Sequence, residues 1–320
     1  MAVLRKPSTR VAIATVGTVL SLGLLIYLFV QQGLSEVMVG LARIPLSTLL
    51  AATALMGISR VALAVRWHFA LRSVDIHVPF RRVIAINFAS QYACNFLPSQ
   101  MGGDVVKLAA LMRTKEDTGK VTASLVVDHT TGLLSMLLVI PAALPAIAEF
   151  GRNSPFDGME LLPAALLIGA TGGDWIRKVR GVLRRMLVAL RFALRRPGEV
   201  LLSLLASLFF LLGLFAAIQL LLTGMGERIG LLTVAGLWAF VYVASGLPIS
   251  VNGIGLQEVS MSYAYATLGG VSMCSALALA VLVRLLTALW SLPGAPVLPG
   301  IMAGRRVDES AAAAMRAVAD

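Results

Sequence analysis

The side chains able to do chemistry in this chain gather at two short breaks in otherwise apolar sequence. The first, 91–107, holds Gln91, Asn95, Leu97-Pro98, Gly102-Gly103-Asp104 and Lys107. The second, 246–258, holds Leu247-Pro248, Asn252-Gly253, Gly255 and Glu258. Each runs through Leu-Pro, a short polar stretch and a glycine-rich turn to an acid. A helix restarting after such a break presents free backbone N–H groups and the positive end of its dipole, which suit an anion such as phosphate. Gly102, Gly103, Gly253 and Gly255 would let a headgroup approach the backbone and would permit the sharp turn. Asp104 and Glu258 fall in the first turn of the restarted helices, where an acid caps the helix or serves as a coupling-ion or proton site. Lys107, one turn beyond Asp104, has three roles open to it: pairing with that acid, snorkelling to the interface, or meeting a lipid phosphate. The amides Gln91, Asn95 and Asn252 are placed to satisfy backbone groups freed at the breaks, with lining a polar path as their second role.

Composition says what kind of scaffold holds these residues. With 58% hydrophobic and 13% charged residues in 320, and a mean hydropathy of +0.87, the chain is unlike a soluble domain. Its apolar runs suit a hydrocarbon layer of ~30 Å, which takes about 20 helical residues to cross. An all-α integral membrane protein is expected, forming one polytopic domain over 1–300 with a cytoplasmic tail over 301–320. The net charge of +11 is confined to short loops between apolar runs. That is the pattern of cytoplasmic loops, suited to anionic lipid headgroups at that surface, and no nucleic-acid partner is expected. Cys94 and Cys274 lie in apolar segments and read as packed thiols. His68, His77 and His129 share no helical ligand spacing. No metal, cofactor or catalytic residue is expected, because no nucleophile–base set or phosphate loop appears, and Gly253-Ile254-Gly255 lacks the strand–helix context of a dinucleotide site.

Taken in order, Arg5, Lys6 and Arg10 precede an uncleaved first span, 11–30. The second span, 44–65, closes at Arg66-Trp67-His68 as a basic, interfacial boundary. A broken element follows, 83–97 and 105–112, then a span over 121–147 carrying Asp128 and His129. The loop with Glu149, Arg152, Asp157 and Glu160 is external, and 161–171 returns. A basic amphipathic helix over 176–197 lies on the cytoplasmic leaflet. Then come a span over 200–223, a second broken element (231–247 and 256–268) and a last span, 272–292. If the first broken element crossed the membrane, the basic 177–196 segment would lie outside and the acidic 149–160 loop inside. Positive-inside bias therefore makes it a re-entrant hairpin. The result is six spans and two re-entrant broken hairpins in an inverted-topology repeat, with halves at about 11–150 and 159–293, a transporter arrangement. Asp128 and Arg284 are the remaining intramembrane ions. Such a group costs ~2.5–3.5 kcal/mol at mid-bilayer on insertion scales, so each expects a partner and is a functional candidate.

These motifs resemble the lysylphosphatidylglycerol synthase transmembrane family, the flippase-like membrane region of multiple-peptide-resistance-factor proteins and of standalone members. The matching pieces are Arg66-Trp67, Asn95-Phe96-Leu97-Pro98, Gly102 to Lys107, Asp128 with Gly132, and Leu247-Pro248 with Asn252 to Glu258. The family often carries arginine where this chain has Lys107, His129 and Gln257. The resemblance implies a non-enzymatic lipid transporter or flippase of the cytoplasmic (inner) membrane, with both termini cytoplasmic. It implies an anionic or polyprenyl-type lipid as substrate, and argues against lysyl transfer by this chain alone. The implied translocation residues are Asn95, Pro98, Gly102, Gly103, Asp104, Lys107, Asp128, Pro248, Asn252, Gly253, Gly255, Glu258 and Arg284. The implied partners are membrane lipids, with a homo-oligomer or a membrane enzyme partner also open. The alternative is an accessory subunit presenting lipid to a synthase or glycosyltransferase of a phospholipid, hopanoid or glycan pathway.

The topology is directly testable. Single cysteines introduced at 113–120 should react with an impermeant thiol reagent only from the cytoplasmic side; labelling in intact cells would overturn the mirrored arrangement.

Overall fold

The computed structural model describes residues 41–96, 102–112, 117–153, 195–245 and 255–303, with isolated positions between 23 and 40. Every regular element among them is helical. In chain order these are α1 (Leu46–Ser73), α2 (Phe80–Cys94), α3 (Gly102–Met112), α4 (Thr118–Asn153), α5 (Pro197–Gly224), α6 (Leu231–Ser245), α7 (Leu256–Tyr263), α8 (Met273–Ser291) and α9 (Leu298–Met302). A π turn, Ala264–Leu268, extends α7, and a 3-10 turn, Leu292–Gly294, extends α8. Four helices among the described residues are long and apolar enough to cross a membrane: Leu46–Ser73, Thr118–Val139, Pro197–Gly224 and Met273–Gly294.

Local chemistry sets the helix ends. α1 follows Pro45 and ends before Asp75, whose positive φ of 62° reverses the chain, a conformation the short polar Asp side chain tolerates. Pro197 opens α5 at its first turn, where a missing N–H costs nothing. Ser272 caps α8 by accepting from the Ser275 N–H at 3.3 Å. Glu227, in the turn after α5, accepts in turn from the Ser272 N–H and hydroxyl at 3.1 and 2.7 Å. Burial works to raise the Glu227 carboxyl, but hydrogen bonds from Ser272 and Ser275 outweigh it and hold the group below its ordinary value. This link between the two turns is therefore present at neutral pH and lost on strong acidification.

Side chains on the outer faces suit lipid. Leu201, Leu205, Phe209 and Leu212 recur at helical spacing along α5 and are all exposed. A soluble protein would not leave such a stripe bare. Inside, small residues let helices approach. The α1–α5 pair is the most extensive helix contact, and a Cβ at Gly213 would strike the Ser59 hydroxyl. Along the α4–α5 contact, Thr131 meets Ser203 at 3.1 Å and Ser135 meets Ser207 at 2.7 Å, an i, i+4 ladder of hydroxyl pairs. Small and hydroxyl-bearing seams of this kind hold helices together in a solvent that offers no hydrophobic drive. The apolar core has two parts. One gathers Trp67, Leu71, Ile86, Val106, Leu111 and Val121, and the other gathers Met56, Phe215, Ile218, Leu221, Tyr265 and Leu277.

The expected spans correspond closely to α1, α4, α5 and α8, and each broken element to a pair of helices: α2 with α3, and α6 with α7. Several boundaries move. α1 runs on to Ser73, so Arg66-Trp67-His68 is no interfacial boundary; Trp67 is fully buried in the core. The helical run of α4 includes Glu149 and Arg152, which were expected in a loop. Pro197 starts α5 rather than closing the amphipathic helix, and Ile301 is buried in α9 rather than lying in a free tail. The expectations for 11–30 as a whole, 154–194 (including the span at 161–171 and most of the amphipathic helix), and 304–320 lie outside the described residues, as do the centres of both breaks.

The turn closing α8 makes a packing test. A Cβ at Gly294 would strike the Phe88 carbonyl oxygen in the α2 backbone, which cannot swing aside. Gly294→Ala should therefore destabilise by about 1–3 kcal/mol. Gly198→Ala, with open space around it, should not. Thermal unfolding of both variants in detergent checks this.

Candidate functional site

A cavity of about 320 Å³ opens among α1, α2, α4, α5, α6, α7 and α8, and the charged side chains on its wall are Arg60, Arg66 and Arg284. No described acid lines it. Gln91 and Asn95 from the end of α2, Ser135 from α4, Ser207 from α5 and Thr287 from α8 supply uncharged polar groups, while Phe210, Leu214 and Trp238 supply apolar wall. Gln91 Nε2 is buried without a hydrogen-bond partner. Asn95 Nδ2 donates to Ser291 Oγ at 2.8 Å, tying the end of α2 to the end of α8.

Among the described residues, two buried acids lie behind this wall, and each holds one of its bases. Asp128 on α4 is almost fully buried; its Oδ1 takes Arg66 Nε at 2.6 Å and its Oδ2 takes Lys107 Nζ at 3.2 Å. Lys107 also lies over the Trp67 ring, 4.7 Å from its centroid. One carboxylate thereby joins α1, α3 and α4. A Cβ at Gly132, one turn on from Asp128, would lie 2.8 Å from Arg66 Nη1, so this glycine leaves room for the guanidinium to reach the cavity. On the other side, Glu258 in the first turn of α7 takes Arg284 Nε of α8 at 3.1 Å, while Glu258 Oε2 is buried and has no partner among the described residues. Arg60 differs from both. Its Nη2 donates to Thr287 Oγ1 at 2.8 Å, its guanidinium lies 5.8 Å from the Phe210 ring centroid, and no described carboxylate holds it.

Asp104, in the first turn of α3, meets His129 Nε2 of α4 at 2.7 Å on a more exposed surface. The placement parallels that of Glu258 and Arg284. In both cases the acid begins the second helix of a broken element, and its base stands on the next long helix, 25 residues on at His129 and 26 at Arg284.

Of the residues singled out in sequence, Asn95 and Arg284 line the cavity, and Asp128 and Glu258 stand directly behind it. Lys107 does not pair with Asp104 and is not among the residues lining the cavity; it is held by Asp128 and lies over the Trp67 ring. Gly103 is buried; a Cβ there would lie 2.5 Å from Ser90 Oγ and 2.8 Å from Cys94 Sγ, so this glycine serves the close approach of α2 and α3 rather than of a headgroup. Gly102 is buried beside it. Gly255, at φ +79°, does make the turn into α7. Among the described residues, Asn95 bonds the Ser291 side chain and Gln91 faces the cavity. Pro98, Pro248, Asn252 and Gly253 lie outside the described residues. Sequence reasoning missed Arg60 and Arg66. The signal for Arg60 was available: an arginine inside the apolar run 44–65 is costly. Arg66 was set aside because the helix was expected to end there.

Residues 14–294 match the family described as the lysylphosphatidylglycerol synthase TM region, and the chain belongs to that family. No curated protein matches the chain.

Removing the buried carboxylate should do more than remove one interaction. Asp128→Asn leaves Arg66 and Lys107 without their counter-charge and should cost about 3–5 kcal/mol. His129→Gln, at an exposed pair, should cost no more than about 1 kcal/mol. Thermal unfolding in detergent, compared with the parent chain, measures both.

Proposed function

We propose that this member of the lysylphosphatidylglycerol synthase TM family is a lipid transporter of the cytoplasmic membrane, a flippase that takes an anionic headgroup into the arginine-walled cavity. The acyl chains stay in the bilayer as the headgroup passes. The observation that carries this reading is the wall itself, with three guanidinium groups and no described acid facing a polar cavity among helices built for lipid. Guanidinium forks match phosphate geometry and keep their charge at any physiological pH. No enzymatic step is part of this reading.

The same proposal includes six spans, two re-entrant hairpins and an inverted repeat, with N- and C-termini in the cytoplasm. Supporting it is the matched acid–base link in the two parts of the chain, Asp104 to His129 and Glu258 to Arg284. Mirrored broken helices flanking a mid-membrane site are a recurrent transporter design. For coupling to a proton or sodium ion, Asp128 is poorly suited, since both its oxygens are held by bases. Glu258, with one oxygen unpartnered, is the better placed acid.

Proteoliposomes containing the purified chain should move a fluorescent anionic phospholipid between leaflets faster than empty vesicles. The doubly neutralised Arg66→Gln/Arg284→Gln variant should fall back towards the empty-vesicle rate. Equal rates with and without the parent protein, for all anionic lipids tried, would reject transport; a stable lipid-modifying enzyme co-purifying with it would then favour the accessory-subunit reading.

A further inference from the structure

Among the described residues, the charges around the cavity do not balance, and the imbalance says what kind of anion would fit. Arg66 and Lys107 share one carboxylate, Asp128, which leaves one positive charge. Arg284 and Glu258 cancel. Arg60 adds a second positive charge, held by a neutral hydroxyl and an aromatic ring. The uncharged residues 97–101 and 246–254 at the centres of the breaks cannot alter this sum. Buried charge without a counter-charge is expensive, so the occupant that best completes the site brings two negative charges.

We infer that the cavity selects a lipid whose headgroup carries two negative charges, a phosphomonoester or a diphosphate, over one bearing a single phosphodiester. This rests on the lipid-headgroup reading above and narrows it. Arg60 is the specificity-determining residue. Both other cavity arginines already give their Nε to a carboxylate, whereas Arg60 is held, among the described residues, by the neutral Thr287 hydroxyl and the Phe210 ring and can meet the second charge. The unpartnered Gln91 Nε2 offers a further donor on the same wall. A monoanionic diester would leave one of the two charges uncompensated.

The ligand's own chemistry provides the test. A phosphomonoester loses its second proton near pH 6, whereas a diester stays monoanionic throughout. The groups facing the site from neighbouring helices are Arg60, Arg66 and Arg284, with Asp128, Lys107 and Glu258 behind them; Cys94 and Tyr242 are the other titratable wall residues. The His129–Asp104 pair lies off the wall.

The full chain in detergent would be loaded with a fluorescent short-chain phosphatidic acid. Displacement by unlabelled phosphatidic acid, phosphatidylglycerol and soluble glycerol phosphate would then be compared at pH 8 and pH 5.5. At pH 8 phosphatidic acid should displace the probe at about a tenfold lower concentration than phosphatidylglycerol, as one charge-assisted contact implies. That advantage should shrink at pH 5.5, persist in His129→Gln with the same pH profile, and be lost in Arg60→Gln. Equal displacement by the two lipids at pH 8, or a preference that ignores both pH and Arg60→Gln, would overturn the charge inference while leaving lipid binding intact. The two-pH comparison on the parent chain decides the matter even if Arg60→Gln fails to fold. Glycerol phosphate competing as well as phosphatidic acid would overturn the assignment to a lipid. A probe that does not bind at all would overturn both the inference and the headgroup reading beneath it.

Discussion

A charge inside a membrane protein must be answered by another charge, and here a single buried carboxylate answers two. Asp128 draws Arg66 from α1 and Lys107 from α3 onto α4, so three separate segments converge on one residue. The geometry around it follows from that demand. Trp67 is buried where it covers the Lys107 ammonium, and Gly132 is small where the Arg66 guanidinium passes. Ser203, on α5, donates to the Arg66 carbonyl oxygen and continues the hydroxyl ladder along α4. Apolar residues of similar volume often stabilise a buried site as well as an ion cluster does. What an apolar cluster could not do is leave a guanidinium free to face a cavity while its charge is partly answered from behind.

That arrangement explains how a basic site coexists with stable folding in hydrocarbon. An arginine wall with no acids nearby would repel itself and resist burial. An arginine wall with the acids in front would be occupied already. Here the carboxylates meet Arg66 and Arg284 at Nε, and both arginines line the cavity while neither acid does. Lysine could not divide its charge in this way, because an ammonium is a point charge without a planar fork. The lysine of the cluster is accordingly the base turned away from the cavity.

Much of the scaffold was legible in the sequence, because hydrophobic length and Pro/Gly punctuation are local signals. The helices α1, α4, α5 and α8 fall where apolar runs of spanning length stand, and the paired shorter helices fall on either side of the two breaks. The helix ends differ where polar sequence resembles an interface: Arg66-Trp67-His68 looks like a membrane boundary, yet α1 continues to Ser73, Trp67 is core and Arg66 lines the cavity. The site was legible in its types and illegible in its pairings. Asp128, Glu258 and Arg284 announce themselves as costly ions, but which base answers which acid depends on helix packing, not on separation along the chain. Lys107 shows this best. Its nearest acid in sequence stands one turn away, yet its partner lies 21 residues on, across a loop and on another helix.

The two acid–base links that begin α3 and α7 carry the comparison one step further. A shared spacing of 25 and 26 residues between acid and base places the same fastening at the same point in both proposed halves. Yet the fastenings are not equal. Arg284 lies against an acid that is nearly buried and faces the cavity. His129 lies in a more exposed pair and is absent from the cavity wall. An exposed pair is screened by water and contributes little, whereas a buried one is costly to separate. Under the proposed mirrored arrangement, the broken element of α2 and α3 is therefore held to its neighbouring span by the weaker tie, and that of α6 and α7 by the stronger. Alternating access asks one side of the site to loosen while the other stays closed. Under the proposed transport cycle, the side that loosens first would be the one fastened by Asp104 and His129, and the rigid side the one whose arginine lines the cavity.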